Sequence, residues 1–322
     1  MSSACPNPND RWFTGHWPMF AGWLLVVGVW LSLPGGVGCE QSGSDSVPAS
    51  GVAAPAKSPK LASLVPAATD LLVAMGAGDH LVAVSNWDTP RPQIAHLPRV
   101  GDYQTTDWEQ LAQLRPDVMI VFMAAERMPA GLKQRADALG IRLVNVRTET
   151  VRDILQTIRD LGELTGEPQK AAALEQKIQS QLDTVARRVA GRQPVPTLLV
   201  RDEAGFALIG GDTFVDDVLK IAGGTNVASH LPVRYPTVDR EQVLEMAPQA
   251  IVQLMPDAPP GVVDRARRAW QQMPQLPAVR QQRVFILTDW YVLQPGSHVG
   301  DLAEQICRLL HPSDAPATAA SD

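Results

Sequence analysis

The chain has 322 residues, with 28 Lys+Arg against 34 Asp+Glu and a formal net charge of -6. That length holds one large domain or two of about 130 residues, and the acidic balance, with no basic stripe to neutralise phosphates, argues against a nucleic-acid partner. The three cysteines, Cys5, Cys39 and Cys307, are too few and too far apart for a disulfide scaffold or a CxxC zinc or redox motif.

Residues 1–18 are polar, and residues 19–33 are apolar without a charge. This run is shorter than the ~20 residues of a spanning helix and suits the apolar core of a signal peptide. Val37 and Gly38 before Cys39 resemble a bacterial lipobox, in which the cysteine is lipidated and becomes the mature N-terminus. Gly36 stands where a lipobox usually has Leu. The alternative is an uncleaved N-terminal anchor, and both readings place the remaining chain outside the inner membrane. Residues 40–59, rich in Ser, Ala, Pro and Gly, read as a flexible tether. Cys307 lies in an apolar helical pattern and reads as inert core.

From residue 60 strand and helix patterns alternate. Strands are expected over 60–65, 81–85, 117–122 and 141–146, and helices over 70–75, capped by Thr69, over 108–114 and over 129–139. Nearly all-apolar strands separated by helices indicate a parallel sheet covered on both faces. Helices follow over 151–164 and 167–190. In the second, Ala171, Leu174, Ile178, Leu182, Val185 and Val189 form one apolar stripe along about 35 Å.

The pattern then resumes. Strands are expected over 197–202, 250–254 and 283–287, and helices over 213–222 (capped by Thr213), 239–246, 262–272 and 299–310. Residues 312–322 lack apolar periodicity and read as a disordered tail. The organisation is therefore an export segment (1–39), a tether (40–59), an N-terminal α/β lobe (60–150), a helical region with a connecting helix (151–191) and a C-terminal α/β lobe (192–311). The halves show no close sequence repeat beyond the order of their elements.

Several short stretches carry a resemblance. They are Leu64-Val65-Pro66-Ala67-Ala68-Thr69-Asp70 with Met75-Gly76-Ala77-Gly78-Asp79, Leu97-Pro98-Arg99-Val100-Gly101, Leu114-Arg115-Pro116-Asp117-Val118, Leu139-Gly140-Ile141, Arg240-Glu241-Gln242-Val243-Leu244 with Ala247-Pro248-Gln249-Ala250-Ile251, and Asp289-Trp290. In this order the chain resembles the class III periplasmic binding proteins of ABC importers over about 60–311, most closely the branch that carries vitamin B12. The resemblance implies two Rossmann-like lobes bridged by one long α-helix, with a ligand cleft between them. It implies no enzyme activity and no resident cofactor, but a corrinoid cargo, a separate ABC permease and its ATPase as partners, membrane tethering through a lipid on Cys39, and a monomer.

In that branch one glutamate on each lobe pairs with permease arginines, and Glu109 and Glu241 match those positions. Taken alone, both are also ordinary acids at helix starts, favoured by the helix dipole. Trp12, Trp17, Trp23 and Trp30 belong to the export segment, and the remaining aromatics concentrate at strand ends, as Trp87, Tyr103, Tyr235, Trp290 and Tyr291. Ligands in open α/β sheets bind at the carboxyl ends of strands, where flat rings can stack on a large planar ligand. In the resemblance, positions matching Tyr103 and Tyr235 line the cleft as tryptophans, and Asp289 lies beside the ligand; an Asp at a strand end is equally a turn former. Phe122, ending a strand, faces the cleft in the same reading. Trp108 and Trp270 read as packing residues.

Three rival cargoes remain. A haem carrier would use Tyr103 as an iron ligand. A ferric-siderophore carrier would line its cleft with basic residues, for which Arg91, Arg99, Arg127 and Arg234 are available without clustering. A zinc or manganese carrier needs paired His and carboxylates, and His80, His96, His230 and His298 show no such spacing; His80 and His96 read as surface residues. An exported α/β enzyme is the alternative of a different class, but there is no GxxxxGKS/T, GxSxG or HExxH. A structural or adhesion module leaves the paired lobes unexplained.

Overall fold

In the computed structural model, which describes residues 58–102, 104–123 and 130–312, the chain enters as a buried three-residue strand, β1 (Leu61–Ser63). Pro66 then opens helix α1 (Pro66–Ala74) at its first position, where its fixed φ suits the helix and its missing N–H costs no bond. The expected start at residue 70 is therefore corrected: Thr69 lies inside α1, and its hydroxyl reaches Val65 O and Asp88 Oδ2 instead of capping. After a 3₁₀ turn at Gly78–His80 come β2 (Leu81–Ala83), α2 (Trp108–Leu114), β3 (Val118–Val121), α3 (Ala130–Ala138) and β4 (Arg142–Asn145). The four strands pair in parallel, in the order β2-β1-β3-β4. His80 is buried, with its Nδ1 3.0 Å from Pro59 O, so it is not a surface residue as the sequence implied.

Two helices lead out of this lobe. Helix α4 (Val151–Thr165) begins with a capping box between Thr150 and Asp153 and ends on Gly166 in the left-handed region. Helix α5 (Pro168–Val189) buries Ala171, Leu174, Ile178, Leu182 and Val185, the predicted stripe. At 22 residues it is about 33 Å long.

The second lobe repeats the plan with β5 (Val195–Val200), α6 (Phe214–Ile221, capped by Thr213 as expected), β6 (Gly224–Asn226), α7 (Arg240–Met246), β7 (Ala250–Leu254), α8 (Pro260–Gln271), the short α9 (Pro277–Arg280), β8 (Val284–Leu287) and α10 (Val299–Leu310). Its sheet is again parallel, in the order β6-β5-β7-β8. Strand β6 and helix α9 are not among the elements that the sequence pattern predicts. β6 starts on Gly224, within a Gly-Gly pair that sequence reasoning spends on ending α6.

The two halves repeat one local pattern at equivalent places in their sheets. Helices α2 and α7 are each capped by an aspartate, Asp107 and Asp239. Each carries Glu-Gln in its first turn, Glu109-Gln110 and Glu241-Gln242, and each ends on a left-handed non-glycine residue, Arg115 or Ala247, followed by Pro116 or Pro248. Each then feeds the strand that pairs with the first strand of its lobe. The expectation of no repeat beyond element order is thus corrected. Too few positions match for the similarity to stand out without the topology.

One apolar cluster unites the halves. It runs from Leu61, Leu71 and Ile120 through Ile158 on α4 and Ile178 on α5 to Leu219, Val252 and Ile306. Separate clusters cover the other face of each sheet, around Leu111 and Met119 in one lobe and around Val243 and Trp270 in the other. The connecting helix is therefore built into a shared core and is not a free strut.

Candidate functional site

The carboxyl ends of the strands in both sheets face a common cavity of about 400 Å³. The first lobe contributes Val65, Pro66 and Ala67 after β1, Phe122 after β3, and Thr148 and Glu149 after β4; the second contributes Phe214, Arg234, Tyr235, Leu293, Gln294 and Pro295. Phe122 is 41% exposed and Tyr235 51% exposed, large apolar surfaces that a soluble chain leaves open chiefly where something binds. A contiguous hollow, lined by Arg201, Ile209, Phe214, Val215, Tyr235 and Leu293, extends the cavity into the second lobe.

Each aromatic is held by its local backbone. Asn145, ending β4, accepts from Met123 N at 3.0 Å and donates to Met123 O at 2.7 Å, which fixes the segment carrying Phe122. Gly210 N donates to Arg234 O at 2.7 Å, and Leu208 N donates to Pro236 O at 2.8 Å, which clamps Tyr235 between them. A Cβ on Gly210 would lie 2.8 Å from Val233 O, so only glycine allows the two segments to approach this closely. Phe214 follows the cap Thr213, whose hydroxyl accepts from Asp216 N.

Among the described residues, an ion pair crosses the cleft. Arg234 Nη1 lies 2.5 Å from Glu149 Oε1, and Arg147 Nη2 lies 3.2 Å from the other carboxylate oxygen. The Arg201 guanidinium sits 5.5 Å from the centroid of the Tyr235 ring. The Tyr235 hydroxyl is pushed above its usual pKa by burial, against the pull of Arg234 and Arg201, so it is a neutral phenol at physiological pH. Nearby, Asp217 on α6 accepts from Val151 N at the start of α4.

This geometry has relatives. The periplasmic binding protein family matches residues 61–291. The chain belongs to that family. It is 30% identical over 261 residues to the vitamin B12-binding protein of Vibrio cholerae serotype O1, covering 80% of this chain and 91% of that one. The crystal structure of the periplasmic vitamin B12 binding protein of Vibrio cholerae superimposes with a TM-score of 0.67 at 27% identity, covering 80% of this chain and 99% of that one. A periplasmic haem binding protein from Pseudomonas aeruginosa superimposes with a TM-score of 0.66 at 26% identity, covering 80% and 95%. These relatives are substrate-binding proteins of transport systems, not enzymes.

Within this periplasmic binding protein the residues singled out from sequence separate into groups. Phe122 and Tyr235 come together in the cavity, one from each lobe. Trp87 is 73% exposed in the loop after β2, and its Nε1 donates to Asp102 Oδ2 at 3.0 Å, beside position 103. Tyr103 itself and Cys39 lie outside the described residues, as do Arg127 and the apolar run 19–33. Asp289 is exposed after β8 and accepts from Gln305 on α10 at 2.9 Å, and neither it nor Trp290 is among the residues lining the cavity. Trp290 stands edge-on to Tyr291 and His298 and carries the Arg91 guanidinium 4.8 Å from its centroid.

Glu109 and Glu241 are exposed in the first turns of α2 and α7. Trp270 is fully buried, with Nε1 donating to Gln253 Oε1 at 2.8 Å, and Trp108 packs under Arg135. Cys307 is buried. Among the described residues, no group of three or more His, Cys, Asp or Glu is placed to hold a metal ion. Sequence reasoning missed Thr148, Glu149, Phe214, Leu293 and Gln294 as cavity residues. Thr148 and Glu149 follow a strand and Phe214 opens a helix, which are available signals; Leu293 and Gln294 lie within the segment between β8 and α10, where no local pattern marks them.

Proposed function

We propose that this chain is the extracytoplasmic solute-binding subunit of an ABC importer whose cargo is a corrinoid. The observation that carries the reading is the aromatic cavity, open at the carboxyl ends of both sheets and lined by Phe122 from one lobe and Phe214 and Tyr235 from the other. Such walls suit a wide, flat ring fringed by neutral amides, which needs apolar contact and a few hydrogen bonds more than charge. The 30% identity to a vitamin B12-binding protein over most of both chains supports the same cargo. Trp87, Asp289 and Trp290 belong to the outer rim in this reading, reaching a ligand that extends beyond the cavity, and Tyr103 is a further ligand contact, as its match to the family implies. Glu109 and Glu241 serve as the docking acids for the permease, and Cys39 as the lipid attachment site that keeps the protein at the membrane.

The second reading is a haem carrier, supported by the 26% identity to a haem binding protein and by Tyr103. Calorimetric titration of the full-length chain in mild detergent with cyanocobalamin and with haemin separates the two. Saturable cyanocobalamin binding that is lost in Tyr235→Ala is expected. Binding of haemin alone, lost in Tyr103→Phe, would overturn the corrinoid reading.

A further inference from the structure

The charges around the cleft discriminate between cargoes more sharply than its aromatic walls. Two arginines of the described residues flank Tyr235. Arg234 lines the main cavity, and its Nη1 lies 2.5 Å from Oε1 of Glu149, which lines the same cavity from the opposite lobe. That cation is already neutralised. Arg201 lines the contiguous hollow, is exposed, and has its guanidinium 5.5 Å from the Tyr235 ring centroid. No carboxylate of the described residues pairs with it, so its donors point to no internal acid. A stacked guanidinium keeps its full charge while its position is restrained.

We propose that Arg201 is the anion-binding position of the cleft and that Glu149, by occupying Arg234, sets the cleft for a cargo with a single anionic group. The inference rests on the corrinoid reading and deepens it. A corrinoid with its nucleotide loop carries one phosphodiester, which one guanidinium can meet in bidentate fashion. Haem carries two carboxylates, and ferric catecholates carry more charge still. A second anionic group entering the cavity would face Glu149. Pairing it with Arg234 would require breaking the cross-cleft ion pair and leaving the half-buried Glu149 carboxylate with only the exposed Arg147, 3.2 Å from its other oxygen. Glu149 thus acts as an internal stand-in for the second anion of a competing ligand, which is specificity by repulsion as much as by attraction.

The test uses the full-length chain in mild detergent and four probes: cyanocobalamin, dicyanocobinamide (the same ring without the nucleotide and its phosphodiester), haemin, and haemin dimethyl ester. Arg201→Gln is expected to weaken cyanocobalamin by about tenfold or more, the usual worth of a charge-assisted contact. Dicyanocobinamide should stay within about twofold, and Arg201→Lys should recover part of the loss. Glu149→Gln is expected to raise the affinity for haemin relative to its ester by about tenfold. Melting temperatures of the variants serve as the folding control. Equal weakening of both corrinoids by Arg201→Gln, or an unchanged haemin-to-ester ratio in Glu149→Gln, would overturn the inference. A wild type that binds neither corrinoid removes the cargo reading, and the haemin pair then still decides the charge inference. A wild type that binds none of the four probes overturns both.

Discussion

The backbone N–H of Ser297 donates to Asp70 Oδ2 at 2.7 Å, while Asp70 Oδ1 takes Arg91 Nη1 at 2.6 Å. A single buried carboxylate on α1 of the first lobe therefore anchors the segment between β8 and α10 of the second. Gln294 Nε2 adds a bond to Pro66 O at 3.0 Å, and Arg91 lies over Trp290. The lobes are stitched together on the flank of the cleft as well as through the connecting helix. Breaking a buried ion pair from one side leaves the other charge uncompensated. Asp70→Ala is expected to cost about 3 kcal/mol in urea unfolding. Gly296→Ala should move the same way, because its Cβ would lie 2.3 Å from Asp70 Oδ2. A loss below about 1 kcal/mol in both would show that the stitch is not structural.

The shared core makes a second expectation. Ile178 on α5 is fully buried in the cluster that joins both lobes. Ile178→Ala should destabilise by about 2–5 kcal/mol. The loss should appear as one cooperative transition by both circular dichroism and tryptophan fluorescence. Two resolved transitions would mean that the lobes unfold independently and that the cluster does not couple them.

Asp88 gives a pH signature. It is buried among Thr69, Ser85, Arg91 and Arg99, with Oδ1 unpartnered among the described residues, and desolvation by burial pushes its pKa up from 3.8 to about 6. The folded state therefore holds a proton that the unfolded chain releases between these values. Stability from this group is present below the unfolded value and declines as pH rises through about 6. The full span amounts to about 3 kcal/mol at most. Asp88→Asn should flatten the fall in urea midpoint between pH 4 and pH 6; an unaltered slope would assign the dependence to other groups.

The paired acids carry a functional expectation. Glu109 and Glu241 are exposed at the same position of two equivalent helices, so truncating both should change stability by less than about 0.5 kcal/mol. The Glu109→Ala, Glu241→Ala double variant should bind cyanocobalamin as the parent does and lose uptake in cells, since rim charges govern encounter more than cargo affinity. Uptake at the parental rate would remove the docking role.

Most of the fold was legible in the chain itself. The exposed and buried periods of α5, the Thr213 cap of α6, and the apolar or nearly all-apolar strands β3 and β7 each follow from interactions within a few residues, and such local rules can be read directly. The start of α1 was misread because Thr69 has the chemistry of a cap but is consumed by a contact with Asp88. Strand β6 was missed because three residues beginning with glycine become a strand only when β5 is beside them. The site divided along the same line. Phe122 and Tyr235 were recognisable as strand-end aromatics, and Glu109 and Glu241 as helix-start acids.

What the sequence determined was two parallel α/β units, a long amphipathic helix between them and aromatic residues at the strand ends. The tertiary structure alone decided which of those residues share a cavity, that Glu149 spends the charge of Arg234, and that Asp70 reaches across to Ser297. Those pairings join positions 85 and 227 residues apart. Their energies depend on burial and distance, which no local pattern of residues contains.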